Sequence, residues 1–260
     1  MAEISSITRV GTSEPFELQV KRGQVAWHYA IFKFGFNPDV DASLETVWAE
    51  GGLYSYLSAA TQLTVSSSSA NDTSAGTGAR TVTLSGLDGD YAEISETVTL
   101  NGQTAVTTTN SYLRIYRMVV NTAGTGGQNA GVIYAGTGTV TAGVPANKYA
   151  TVAVGDNQSL MALWTVPANH TAYLLQKDIT AATAQNNKYA TIHLVARPFG
   201  EVFQVKDKHV IDNGVLHQGY SIPLKFEEKT DIEVRCIGDS AAADRAVSAS
   251  LEIIYIWNGN

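Results

Sequence analysis

Apolar and polar residues alternate with a period of two along most of the chain. In residues 111–120, Leu113, Ile115 and Val119 fall on one side, and Tyr112, Arg114 and Tyr116 on the other. That is the pattern of a strand with two unlike faces. Residues 190–196 and 231–237 repeat it. So do residues 246–257, where Val247, Ala249, Leu251, Ile253, Tyr255 and Trp257 share one side. Ile254 and Ile256 join the opposite side late, so this strand's end is predicted to be buried on both faces. Near the N-terminus Trp27, Tyr29, Phe32, Phe34 and Phe36 crowd five aromatic rings into ten residues. Their spacing predicts a strand with one strongly apolar face. Core packing is one reading of that face. Burial against a neighbouring subunit is the other, and it makes these five residues the candidate docking or oligomer contact.

Turn chemistry separates the alternating runs. Asp88-Gly89-Asp90, Asn101-Gly102 and Asp212-Asn213-Gly214 supply the residues that accept the positive φ angles of tight turns. Residues 97–106, centred on Asn101-Gly102, give the clearest hairpin signal. About fourteen candidate strands follow from Thr61 onward. Residues 42–50 read equally as a short helix or a strand. Residues 66–78 and 123–129 are small, polar and glycine-rich and are predicted as long loops facing solvent or a partner. The expected fold is all-β: an antiparallel β-sandwich of jelly-roll type, or two packed sandwich units, with an N-terminal arm. The expected division is an arm or docking strand at 1–36, a β-sandwich at 37–180, and a C-terminal β-region at 181–260 completing or adjoining it.

Composition narrows the function. Hydrophobic residues make up 44% of the 260, while charged residues make up only 16%, below the usual ~25%. The surface is therefore finished with Thr, Ser, Asn, Gly and Ala, which suits burial against a partner. The net charge is −7, and the short basic pairs Lys21-Arg22 and Lys206/Lys208 read as solvated strand or turn positions. No basic face for neutralising phosphates is predicted, which argues against nucleic acid as a partner. No run of about 18 apolar residues occurs, so no membrane span is expected. The first residues lack the basic and apolar regions of a signal peptide, and synthesis in a host cytoplasm is expected. The single cysteine, Cys236, alternates with charged neighbours and is predicted to point into a core.

No constellation stands out as catalytic. Histidines 28, 170, 193, 209 and 217 show no metal-ligand spacing. His209 and His217 flank the turn at Asn213-Gly214 and, as a hairpin, would face each other with Asp207 or Asp212 as a third ligand. Plain hairpin residues are the favoured reading. Asp88, Asp90 and Glu93 carry oxygens suited to calcium, but Asp-Gly in a turn has a sufficient backbone reason. Asp39/Asp41 and Glu227/Glu228 are further carboxylate pairs without a companion aromatic cleft. The glycine-rich pieces at 124–127 and 136–138 lack the Lys-Ser or Lys-Thr of a phosphate loop. No catalytic residue, cofactor or metal is assigned.

Several segments together resemble structural proteins of tailed bacteriophages. They are residues 88–102 (Asp88-Gly89-Asp90-Tyr91 through Asn101-Gly102), Tyr112-Leu113-Arg114-Ile115-Tyr116-Arg117, Asn157-Gln158-Ser159-Leu160-Met161-Ala162 and Val166-Pro167-Ala168. Residues 197–203 and 223–232 belong with them. The resemblance covers about residues 81–257. It implies a virion protein, and within that group a capsid decoration or cement protein. Such a protein would sit on the outer surface of the head, clamp neighbouring copies of the major capsid protein, and assemble with itself as a homotrimer or other homo-oligomer. A tail, neck or fibre component with a receptor- or carbohydrate-binding role is the alternative, with loops 66–78 and 123–129 as its binding edge.

Overall fold

The computed structural model describes residues 14–183, 188–239 and 245–259. One short helix, α1 (Phe16–Lys21), precedes β1 (His28–Asn37) and the two-residue β2 (Glu45–Thr46). Among the described residues, fourteen strands follow from Thr61, in line with the about fourteen expected from the sequence. They are β3 (Thr61–Ser67), β4 (Ala79–Leu87), β5 (Glu93–Thr99), β6 (Val106–Tyr112), β7 (Arg114–Ala123), β8 (Ile133–Thr141) and β9 (Val144–Val152). The rest are β10 (Leu163–Thr165), β11 (His170–Thr183), β12 (Ala190–Arg197), β13 (Gln204–Ile211), β14 (Gly214–Phe226), β15 (Asp231–Gly238) and β16 (Arg245–Trp257). Residues 42–50, ambiguous in sequence, contain only β2.

These strands form four antiparallel sheets. Sheet I runs β1-β16-β11-β14, and sheet II runs β10-β15-β12-β13 with β2 attached to β15. Sheet III runs β6-β3-β8-β9, and sheet IV runs β5-β4-β7. The buried apolar residues fall into two clusters. One joins sheets I and II through Trp164, Leu174, Ile192, Val234, Cys236 and Leu251. The other joins sheets III and IV through Leu63, Val82, Leu84, Ile115, Met118 and Val152. The fold is thus all-β, as expected: four antiparallel sheets in two pairs, each pair sharing an apolar core (a sandwich below) built on alternating inward residues rich in β-branched and aromatic side chains.

β1 begins inside the stretch expected as an arm and pairs with β16 over ten residues, from His28↔Ile256 to Asn37↔Val247. Residues 1–13 of that arm lie outside the described residues. β11 runs through position 180, pairing with β16 on one side and β14 on the other.

Two expected hairpins are corrected. β5 belongs to sheet IV and β6 to sheet III, so Asn101-Gly102 carries the chain from one sheet to the other. Gly102 adopts φ 59°, and its amide bonds to Asp72 of a neighbouring loop rather than closing a ladder. Asp212-Asn213 likewise steps from β13 in sheet II to β14 in sheet I. Gly102 takes a positive φ while Asp212, Asn213 and Gly214 do not, and both turns lead into another sheet, so the turn residues alone do not distinguish a hairpin from an arch. Asp88-Gly89-Asp90 does close a true hairpin between β4 and β5. So does Ala142-Gly143, with φ 48° and 81°, between β8 and β9.

The two predicted loops are tied to each other. Gly124 and Gly126 amides donate to Gly78 and Thr77 carbonyls, and a Cβ on Gly124 would lie 2.1 Å from the Gly76 oxygen. Fully buried Asp72 anchors them, accepting from the Ser67 hydroxyl and the amides of Ala79, Ala130 and Gly131 at 2.6–2.8 Å. Small residues stand here because backbones touch, and a carboxylate collects amides that no strand pairs.

Candidate docking surface

β1 places the five candidate aromatic residues on two different surfaces. Its odd positions face inward: Ile31 packs on the core, and Lys33, Gly35 and Asn37 are buried. Gly35 is required where β1 crosses the chain, since a Cβ there would lie 2.2 Å from Ala162 N and Val47 O. The even positions face outward and carry Phe32, Phe34 and Phe36. Phe32 is 46% exposed, and its ring centre lies 5.7 Å from that of Phe34.

Trp27 and Tyr29 belong to a second group at the strand's beginning. Trp27, 59% exposed, has φ 62° and lies against Trp257 at 4.6 Å. Its carbonyl accepts the Trp257 amide. Tyr29 stacks on Tyr255 at 5.2 Å and meets His170 edge-on. α1 closes this end, with Phe16 edge-on to His28 at 5.8 Å. A cavity of about 370 Å³ lies between α1 and these rings, lined by Val20, Trp27, His28, Tyr29 and Tyr255 among others. One predicted apolar face is therefore two: a phenyl row along the sheet and an aromatic cluster at its end.

Strand register extends the phenyl row across sheet I. Three rows cross the sheet in the order β1, β16, β11, β14: Phe36–Ser248–Thr180–Val215, Phe34–Ser250–Asp178–His217, and Phe32–Glu252–Gln176–Gly219. The polar middle is hydrogen-bonded within itself. Thr180 and Ser248 share a proton contact. Asp178 accepts from His217 Nδ1 at 2.6 Å, from Gln176 at 3.1 Å and from Ser250 at 3.4 Å. Serine, aspartate and histidine meet here with the carboxylate in the middle. A nucleophile needs the imidazole between hydroxyl and carboxylate, and with Asp178 between His217 and Ser250 this arrangement places no base on Ser250.

Buried polar contacts lock the two sandwiches together. Asp231 of sheet II, 2% exposed, accepts Arg114 of sheet IV at 2.8 Å, Arg197 at 2.6 Å and the Thr165 hydroxyl at 2.6 Å. Burial opposes the Arg114 charge, but the Asp231 hydrogen bonds and field outweigh it and raise its pKa. Arg114 and Arg197 lie 5.0 and 4.6 Å from the Tyr56 ring centre, a cation–π arrangement. Glu233, fully buried, accepts from Thr46, from Tyr56 at 3.2 Å, and from Arg235 through two bonds at 3.0 Å. Lys33 reaches from β1 to the Tyr116 carbonyl of β7. The β7–β4 register slips at this point, leaving Tyr116 without a ladder partner. Burial first, and then Arg117, push the Lys33 pKa well below the ordinary lysine value.

The remaining candidates are accounted for individually. His209 and His217 do not face each other, because β13 and β14 lie in different sheets. His209 Nε2 sits 2.8 Å from Asp207, while His217 pairs with Asp178. Asp207 joins Lys177, Tyr220 and His209. Burial alone would raise its pKa, but bonds from these partners bring it down to about 2. Asp88 Oδ1 accepts its own turn's amides, those of Asp90 and Ala92, at 2.9 Å. No group of three metal-ligating side chains occurs among the described residues. Glu227 pairs with Lys225, and Glu228 accepts the Asn169 amide. Cys236 is fully buried, as its alternation predicts, and burial raises its thiol pKa.

No family model matches the chain, and no curated protein does. Among solved structures, the chain is similar to those of infectious bursal disease virus. For the Gt strain the identity is 12% and the TM-score 0.23, over 90% of this chain and 73% of that one. For the Gx strain the identity is 11% and the TM-score 0.25, over 90% and 72%. The VP2 subviral particle gives 12% and 0.22, again over 90% and 72%. TM-scores of this size do not denote a common fold.

Proposed function

We propose that this protein is a structural component of a phage virion, acting as a decoration or cement protein on the head. It works by binding and carries no catalytic centre. The observation that carries the reading is the phenyl row Phe32–Phe34–Phe36 beside a polar field already hydrogen-bonded to itself. Thr180, Ser248, Asp178, His217, Gln176 and Ser250 keep their partners when this face is dried, while each covered ring adds burial at roughly 25 cal/mol per Å². The sequence resemblance over residues 81–257 and the low charge point the same way.

The buried cross-links suit a load-bearing part. A clamp transmits force only if its own halves do not slip, and Asp231, Glu233 and Lys33 span the junction between the sandwiches. On this reading the major capsid protein is the partner, and repetition over many copies supplies avidity. The alternative receptor-binding edge at loops 66–78 and 123–129 gains no support, since those loops hydrogen-bond to each other.

Cryo-electron microscopy of purified particles, with the protein assigned by mass spectrometry, tests the proposal. Density on the outer face of the head between capsid subunits is the expected result. Density confined to neck or tail would overturn it.

A further inference from the structure

We infer that the cavity between α1 and the start of β1 is a carbohydrate site, shaped to take one pyranose ring of a glycan. It uses none of the rings of the phenyl row and does not depend on where the protein sits on a virion. The cavity measures about 370 Å³, within the ~300–1,000 Å³ typical of small-molecule sites. Buried Val20 and Tyr255 line its inner part. Tyr29, 41% exposed, leaves ring surface open at the mouth, yet it is fixed by stacking on Tyr255 and by its edge contact with His170. This platform is formed before anything binds.

Trp27 adds a second platform. Its backbone lies in the left-handed region at φ 62°, where a bulky residue is an outlier. The Trp257 amide on its carbonyl and the Trp257 ring against its indole hold it there. Bulky residues kept in this conformation cluster at ligand clamps. The arrangement leaves more than half of the indole side chain in water, beside a cavity that it also lines.

Hydrogen-bonding tips surround these rings. Lys21 Nζ, Trp27 Nε1 and the Tyr29 hydroxyl have no partner among the described residues. His28 Nδ1 lies 2.8 Å from the Ala26 carbonyl and so carries the proton, which makes Nε2 of the neutral ring an acceptor. The neighbouring polar groups are engaged: Arg22 with Glu14, the Tyr255 hydroxyl with Glu93, and His170 Nδ1 with the Ala168 carbonyl.

That set selects the ligand class. A pyranose offers an apolar C–H face to stack on an indole or phenol, and hydroxyls at its edge for the tips. A wholly apolar guest would cover Lys21 and the His28 nitrogen without giving them partners. A cationic guest would meet the Lys21 ammonium with no carboxylate lining the cavity to offset it.

Saturation-transfer NMR and tryptophan fluorescence on the full chain test the inference. The probes are methyl α-glucopyranoside, methyl β-galactopyranoside, N-acetylglucosamine and glucuronic acid, with indole as the apolar comparison. At least one sugar is expected to bind with a Kd on the order of 1 mM and to move tryptophan emission to shorter wavelength as Trp27 is covered. Trp27→Gly removes the platform and accepts the left-handed backbone. Its circular dichroism is expected to match wild type while its affinity falls at least about tenfold. Lys21→Met, at an exposed position of α1, is expected to weaken binding at least about threefold. Binding of indole without any sugar, binding of no probe, or sugar binding left unchanged by both substitutions would overturn the proposal.

Discussion

Replacing Asp231 with asparagine tests whether the two sandwiches are held by charge. The substitution keeps the shape and removes the negative charge from a carboxylate that is 2% exposed. Arg114 loses a bond at 2.8 Å and Arg197 one at 2.6 Å to a charged acceptor. Arg114 is itself buried, so its guanidinium is left unneutralised in a dry junction. Removing one partner of a buried pair costs about 3–5 kcal/mol. For a chain of this size each kcal/mol lowers Tm by about 2–4 °C, so Asp231→Asn is expected to melt about 6–20 °C below wild type. Urea unfolding followed by circular dichroism and by tryptophan fluorescence measures the loss. The double variant Arg114→Met/Asp231→Leu is expected to recover most of it, because a well-packed apolar pair replaces a buried ion pair at little cost. Arg197 is more open and turns toward solvent. A single variant within about 1 kcal/mol of wild type would refute the reasoning, since no buried charge would then depend on Asp231.

Two further substitutions probe titrating groups. Lys33→Met is expected to stabilise the protein by about 1–3 kcal/mol at neutral pH, because relief of the buried amine exceeds the loss of one bond to the Tyr116 carbonyl. The folded pKa of Lys33 is depressed, so its penalty is full at low pH and fades as pH rises toward 10.5, the ordinary lysine value. The gap between variant and wild type in urea titrations should narrow over that range; a constant gap would contradict the assignment. Asp207→Asn acts at the other end. Its folded pKa of about 2 lies below the ordinary 3.8, so its contribution is complete above about pH 4 and is lost as pH falls toward 2. Thermal melts across that interval should show wild type and variant converging, and parallel curves would count against the Asp207–Lys177 pair.

Much of the fold is legible in the sequence. The alternation in 190–196, 231–237 and 246–257 marks true strands, and Cys236 is buried where its phase puts it. Period-two spacing also finds the aromatic residues of β1, but it cannot say which phase points inward. Lys33 and Asn37 take the inward side and Phe32, Phe34 and Phe36 the outward one, because the inner face of β1 meets another chain segment at Gly35 and the buried polar groups find partners across it. The junction is illegible for a related reason. Arg114 alternates with Leu113 and Ile115 as a solvent-facing residue would, and only the Asp231 carboxylate, 117 positions away, makes its burial tolerable. Turn dipeptides mark a change of direction and nothing of which sheet follows, so Asn101-Gly102 and Asp212-Asn213 read as hairpins. The small polar loops look solvent-facing until Asp72 is seen collecting their amides.

The pairing of β1 with β16 sets an order of events during synthesis. Strands β3 to β9 lie together in the chain, so their two sheets can pair once Val152 has emerged, with Met161 and Leu163 completing their core soon after. β1 emerges earlier still, yet its partner begins at Arg245, roughly two hundred residues downstream. At translation rates of about 5–20 residues per second, β1 waits on the order of 10–40 s without its ladder. Through that interval its three phenyl rings and its unpaired backbone are carried on a nascent chain. A chain arrested before β16 carries an adhesive strand without its ladder, so β16 decides whether β1 is harmless.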